Sequence, residues 1–244
     1  MPTQYKMTRF VDPNETGSIW KRTEEPLPEL GDGQIKVRLD WVSIDPGMMG
    51  WVTNKRSYMP PVQPGTVMRA FGVGEVTESK SLTLKVGDVV TGFTGVQTEG
   101  VFPDKALRKI DISIAPAHEY LSGLGMTGYT AYFGMMDIGQ PKEGQTVVVS
   151  AASGGVGQNA GQIAKIKGCR VVGIAGSSEK CRFVEDVLGF SACLNRRDED
   201  FADQLAQACP DGIDIYFENV GGEVYETVLP LLNMRARISL CGMI

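Results

Sequence analysis

The chain has one histidine, His118, and five cysteines at 169, 181, 193, 209 and 241, none of them in a Cys-x-x-Cys pair. An odd number at wide spacing excludes a disulfide framework, and scattered thiols with one imidazole lack the donor set of a zinc site, so no metal is expected. A Ser-His-Asp triad would have to rest on His118, whose setting Pro116-Ala-His-Glu-Tyr120 reads as a surface or helix-capping segment. No uninterrupted apolar span approaches the roughly 20 residues of a membrane helix, and Met1 to Phe10 lacks the apolar core of a secretory leader. Basic runs are missing as well. The 24 Lys and Arg are outnumbered by 29 Asp and Glu, and the net charge of −5 gives no general attraction to nucleic acid or an anionic membrane. What remains is an ordinary globular composition, 42% hydrophobic and 22% charged over 244 residues, enough for one large or two modest domains. The expectation is a cytoplasmic protein with neither nucleic-acid nor membrane partners.

Glycine, by contrast, is abundant and concentrated where it carries meaning. In Thr146-Val-Val-Val-Ser-Ala-Ala-Ser-Gly-Gly-Val-Gly157 an apolar β-branched run passes into a glycine-rich turn and then a helix-like segment, Val156 to Lys167. Counted from Ala152, which stands where the first glycine of a Gly-x-Gly-x-x-Gly fingerprint would be, Gly154 falls where backbone must approach a pyrophosphate. Gly157 falls where the helix must pack close to the strand. The helix would turn its free N–H groups and positive dipole end toward the phosphates. With a second strand, Cys169 to Ala175, the segment has the length of a βαβ unit.

The end of that second strand distinguishes the two nicotinamide dinucleotides. An NAD site places Asp or Glu there to accept from the ribose 2′-OH, whereas this chain reads Ala175-Gly-Ser-Ser-Glu-Lys180. Gly176 and Ser177 are small, Lys180 follows one turn later, and Arg196 and Arg197 follow a third strand near 191 to 194, so several cations can converge on a 2′-phosphate. The reading is NADP(H), with Glu179 as a partner of the helix dipole. Ordinary surface charge remains the alternative for the three cations.

The two halves differ in texture. From Glu25 to about Ile114, prolines and glycines punctuate short alternating runs, such as 34–43, 72–77 and 87–91, which suggest a β-rich barrel-like module. Gly72-Val-Gly74 lies inside such a run and reads as a bulge or close backbone approach, not a second phosphate loop. From 146 onward strands (146–151, 169–175, 191–194, 213–217, 236–241) alternate with helices (156–167, 178–188, 199–208, 222–232), the pattern of a parallel sheet covered on both faces. The segment 121–136 is expected to bridge the halves as a helix.

Five segments together carry a family resemblance: Gly125-Met-Thr-Gly-Tyr-Thr-Ala-Tyr-Phe-Gly134, Asp137-Ile-Gly-Gln-Pro-Lys-Glu-Gly144, Ala151-Ala-Ser-Gly-Gly-Val-Gly157, Gly161 through Gly173, and Glu218-Asn-Val-Gly-Gly222. The chain resembles the zinc-independent medium-chain reductases, in the branch of NADPH-dependent alkenal, prostaglandin and curcumin reductases, and its motifs are most similar to bacterial curcumin-reductase-like members. The resemblance implies an α/β protein with a GroES-like β-barrel domain over 1–124 followed by a Rossmann domain with a doubly wound parallel sheet over 125–244. It assigns the pyrophosphate to Gly154, Gly155, Val156 and Gly157, the 2′-phosphate to Lys180 with Gly176 and Ser177, and the nicotinamide side to Asn219 and the backbone of Cys241, Gly242, Met243 and Ile244. Met126 and Thr127 match a segment lining the same cleft, Arg196 stands where relatives often carry a tyrosine, and Tyr58 matches a substrate-side tyrosine.

The implied activity is NADPH-dependent reduction of the C=C bond of a small-molecule enone or alkenal, by hydride delivery to the β-carbon without a metal, in a homodimer. A quinone reductase and a non-catalytic NADPH-binding relative are the alternatives. Where relatives run Tyr-Met-Arg-Gly after the Asp-Pro pair, this chain has Gly47-Met-Met-Gly50, and relatives continue for roughly another ninety residues. Met48, Met49, Met59, Met68, Trp51 and Tyr58 are either an adaptable apolar pocket or ordinary core.

Overall fold

In β3 (Gln34–Val42) Ile35 and Val37 are fully buried while Gln34, Lys36 and Arg38 between them stay accessible, the period-two pattern of a sheet with one face on a core. The computed structural model describes residues 1–12, 17–57 and 59–242. The chain divides into two compact units, Met1–Leu121 and Ser122–Ile244.

In the first unit β1 (Thr3–Met7) and β2 (Trp20–Glu24) form an antiparallel hairpin. With β3, strands β4 (Phe71–Ser79), β5 (Val89–Phe93), β6 (Glu99–Pro103) and β7 (Leu107–Lys109) make a five-stranded antiparallel sheet in the order β6-β3-β4-β5-β7. Gly72 and Gly74 lie within β4, and no helix follows them. A Cβ on Gly74 would stand 2.0 Å from the Arg38 carbonyl oxygen, and the β3–β4 register shifts at the facing Leu39/Trp41 step. The pair is therefore a close backbone approach at a bulge, as the alternation predicted.

The second unit opens with α1 (Met126–Phe133), which passes into a π-turn over Gly134–Gly139. It continues through β8 (Thr146–Ser150), α2 (Gly155–Ile166), β9 (Arg170–Ala175), α3 (Ser178–Arg182), β10 (Ala192–Asn195), α4 (Phe201–Ala208), β11 (Ile213–Glu218), α5 (Gly222–Val228) and β12 (Leu232–Leu240). The five strands are parallel in the order β10-β9-β8-β11-β12. All five residues of the central β8 are buried, because neighbouring strands and helices enclose it on every side. Val147 and Val149 enter one core with Ala160 and Ala164 of α2; Val148 enters the other with Phe201 and Leu205 of α4, so both faces of the sheet are covered.

Several boundaries differ from expectation. The helix expected over 121–136 is α-helical only from Met126, after the turn at Gly123–Gly125. The one expected over 178–188 continues beyond Arg182 as a π-turn. The one expected over 222–232 gives way to a short 3-10 turn at Leu229–Leu231, since Pro230 has no N–H to continue the ladder. β12 consequently starts at Leu232 rather than 236. It carries an irregularity opposite Ile213/Ile215 in which Arg235 takes φ +67°, a left-handed bulge that residue propensities do not announce.

Candidate functional site

After β8 the chain steps to β9 and β10 on one side, then returns past β8 to β11 and β12 on the other. Connections leaving the carboxyl ends of β8 and β11 thus diverge, and such a reversal point opens the crevice in which α/β sheets bind ligands. The described candidate residues lie at the carboxyl ends of β8, β9, β10, β11 and β12 and at the start of α1.

At the end of β8, Ala151 takes φ +48°, a left-handed conformation unusual for a residue with a Cβ. The left-handed position is therefore one residue before Ala152, where the fingerprint count put the first missing glycine. Ala152 is instead fully buried, its N–H donating to Ile174 O at 3.0 Å. The turn closes with Gly154 N–H on Ala151 O at 2.9 Å, and α2 begins at Gly155 with no side-chain cap and no acidic residue in its first turn. Among the described residues the N–H groups of Gly155, Val156 and Gly157 donate to no protein acceptor. A Cβ on Gly157 would lie 2.3 Å from Ala151 O, and one on Gly155 3.3 Å from Thr127 Cγ2. The absence of side chains leaves the backbone N–H groups open to an anion. Thr127 is held beside this turn by its hydroxyl donating to Ser122 O at 3.0 Å, and Met126 begins α1 half exposed.

At the end of β9, Ser177 caps α3 by accepting from Lys180 N–H at 3.4 Å. Arg196 follows β10, its backbone N–H on Ala175 O at 3.0 Å, and its Nε lies 3.8 Å from where a Gly176 Cβ would be, so the guanidinium stem passes over Gly176. Lys180, Arg196 and Arg197 are exposed, and among the described residues none forms an ion pair. Glu179 is exposed in the first turn of α3, where its charge meets the positive helix end.

At the end of β11 lies the segment Glu218–Gly222, in which the resemblance assigned a role to Asn219 and none to Glu218. Glu218 and Ser150 are fully buried. The Ser150 hydroxyl donates to Glu218 Oε2 at 2.9 Å and accepts from Asn219 N–H at 2.7 Å, while Asn219 Nδ2 donates to Ser150 O at 2.7 Å. Glu218 Oε1 accepts from Val220 N–H at 2.6 Å and from Gly221 N–H. Its backbone oxygen accepts from Cys241 N–H at 2.8 Å and Gly242 N–H at 3.1 Å. The structure therefore brings Asn219, Cys241 and Gly242 together. The available signal was a polar residue at the last position of two strands whose preceding residues, Val147–Val149 and Ile215–Phe217, are buried.

Tyr58, Met243 and Ile244 lie outside the described residues. Met48, Met68 and Trp51 are core residues of the first unit with Met59 packed against them, whereas Met49 is exposed, so packing accounts for the cluster. His118 is exposed, 3.7 Å from Glu119 and ring to ring with Trp41 at 5.6 Å. Cys181, Cys193 and Cys209 are buried free thiols. Burial, then the adjoining Cys181 thiol, push Cys193 well above the ordinary range, and burial pushes Cys209 up to about 11. Among the described residues no three His, Cys, Asp or Glu side chains group to hold a metal, and no helix is long and apolar enough to cross a membrane.

Residues 4–110 match the family described as N-terminal domain of oxidoreductase, and residues 155–244 the one described as zinc-binding dehydrogenase. The described side chains do not fit the zinc in that second description. The chain is 49% identical over 221 residues to an NADPH-dependent curcumin reductase of Escherichia coli, covering 91% of this chain and 64% of that protein. It is 42% identical to a 2-alkenal reductase (NADP(+)-dependent) of Nicotiana tabacum, covering 89% and 64%. The chain thus spans just under two thirds of the length of these curated relatives. The crystal structure of CurA from Vibrio vulnificus superimposes with a TM-score of 0.91 at 43% identity, covering all of this chain and 72% of that one; the same protein in complex with NADPH gives 0.93. With an antiparallel N-terminal sheet followed by a Rossmann-like parallel sheet, and with this identity and coverage, the chain belongs to the medium-chain dehydrogenase/reductase family.

Proposed function

We propose that this chain carries the cofactor site of an NADPH-dependent reductase that saturates the C=C bond of α,β-unsaturated aldehydes or ketones without a metal. The observation that carries the reading is the pairing of an uncapped α2 N-terminus with unpaired cations at the ends of β9 and β10. The likeness to reductases whose names specify curcumin and 2-alkenals supports the substrate class. When bound, NADPH supplies a hydride, which in this reaction adds to the β-carbon of the enone and leaves an enolate to be protonated at the α-carbon.

The chain's own contribution is binding and orientation. The N–H groups of Gly155, Val156 and Gly157 hold the pyrophosphate in a place where no side chain competes, and the α2 dipole adds to their attraction. Lys180 and Arg196, with Gly176 and Ser177 leaving room between them, hold the 2′-phosphate by charge-assisted hydrogen bonds. Asn219 and the Cys241–Gly242 backbone take the nicotinamide side. Tyr58 keeps its substrate-side assignment as a donor to the enone oxygen, since polarisation without a metal depends on preorganised donors. The free thiols accord with a reducing compartment such as the cytosol.

Titrating the protein with NADPH and with NADH by cofactor fluorescence, then adding an enone to the saturated complex, tests this. Expected are preferential NADPH binding, lost roughly 10- to 100-fold on Lys180→Ala, and oxidation on addition of enone. Equal affinity for the two cofactors would refute the 2′-phosphate assignment. Oxidation by a quinone and not an enone would move the substrate class.

A further inference from the structure

We propose that Ser150 and Glu218 are positioning residues that act on the nicotinamide end of the site through Asn219, an inference that rests on the cofactor reading above. A fully buried carboxylate is costly unless it is paired or saturated with hydrogen bonds, and Glu218 has no ion-pair partner among the described residues. Its donors are the Ser150 hydroxyl and the N–H groups of Val220 and Gly221. Two consequences follow.

The first concerns anions. The carboxylate takes the N–H groups of Val220 and Gly221, so the two peptide groups that lead into α5 are satisfied within the protein and are not offered to an external phosphate.

The second concerns Asn219. Because the Ser150 proton is directed at Glu218, the lone pairs of its oxygen are left to accept from Asn219 N–H. The Asn219 amide is then pinned by Nδ2 on Ser150 O; the flipped amide would set two oxygens against each other, so the orientation is forced. Its Oδ1 has no protein donor among the described residues and is not sealed from solvent. Asn219 thus presents an acceptor of fixed direction, suited to an N–H or O–H donor of the bound ligand. The same Glu218 backbone oxygen tethers Cys241 and Gly242, so one residue aligns both strand ends that face the nicotinamide.

The test compares NADPH with adenosine 2′,5′-bisphosphate, which has the 2′-phosphate and adenosine but no nicotinamide, on wild type, Ser150→Ala and Glu218→Gln. Glu218→Gln keeps the shape and lets the Ser150 proton turn toward Phe217 O, 3.5 Å away, so it is the variant expected to stay folded. Thermal melting checks folding in parallel. Expected is a roughly tenfold loss of NADPH affinity and a changed emission maximum of the bound nicotinamide in both variants, with the bisphosphate affinity within about twofold of wild type. Equal losses of both ligands, or no loss of either in folded variants, would overturn the positioning role. If wild type binds neither ligand, the cofactor reading has failed and this proposal falls with it, an outcome distinct from equal losses.

Discussion

Substituting alanine at Gly157 separates a packing requirement from a generic preference for glycine in the turn. The added Cβ would stand 2.3 Å from Ala151 O, 2.9 Å from Ala151 C and 3.0 Å from Ala152 Cα, all backbone atoms of the turn that α2 packs against. Ordinary contact needs about 3.5 Å, so the helix has to move by roughly 1 Å or the turn has to open. Overpacking of this kind costs about 1–3 kcal/mol, and with rigid backbone on the far side the upper end applies. Alanine in a helix interior recovers about 1 kcal/mol relative to glycine, leaving a net loss of about 2 kcal/mol. For a chain of this size that corresponds to a fall in melting temperature of about 4–8 °C. Gly155→Ala is the internal control. Its Cβ would meet only the Thr127 side chain, at 3.3 Å, so the helix gain nearly offsets the contact and the melting temperature stays within about 2 °C. Differential scanning fluorimetry on the two variants, with urea titration alongside, measures the difference. A Gly157→Ala protein as stable as wild type, or a Gly155→Ala protein that is the weaker of the two, would refute the close-approach argument.

Ala151→Gly should be neutral or stabilising by up to about 1 kcal/mol, because relief of the left-handed strain at φ +48° exceeds the added chain entropy; urea midpoints decide the sign. Arg196→Ala should weaken NADPH binding about tenfold and leave NADH unchanged, and combined with Lys180→Ala it should abolish the preference between them. At pH 8, Cys181, Cys193 and Cys209 should resist a thiol-specific disulfide reagent in the folded protein, since burial holds their thiols protonated, and all five cysteines should react once the chain is unfolded.

The sequence by itself determined the architecture of the second unit and the location of its glycine-rich turn. Continuous β-branched runs such as 146–150 can satisfy themselves only as central parallel strands, and small residues at Gly154, Gly157, Ala160 and Gly161 mark the face on which a helix approaches that sheet. The cations at 180 and 196 were legible for the same reason, since local spacing along βα turns fixes which residues stand at the carboxyl edge. Where α5 stops and β12 bulges was less legible, because Pro230 can end a helix at any of several residues and the left-handed Arg235 answers to the pairing of β12 with β11, not to its own preferences. The pairing of Ser150 with Glu218 came only with the tertiary structure. The two residues lie 68 positions apart at the ends of two strands, and the glycine spacing beside Ser150 says nothing about Glu218. A buried hydroxyl and a buried carboxylate are tolerable because the parallel pairing of β8 with β11 sets each within hydrogen-bond reach of the other and of the turn that follows.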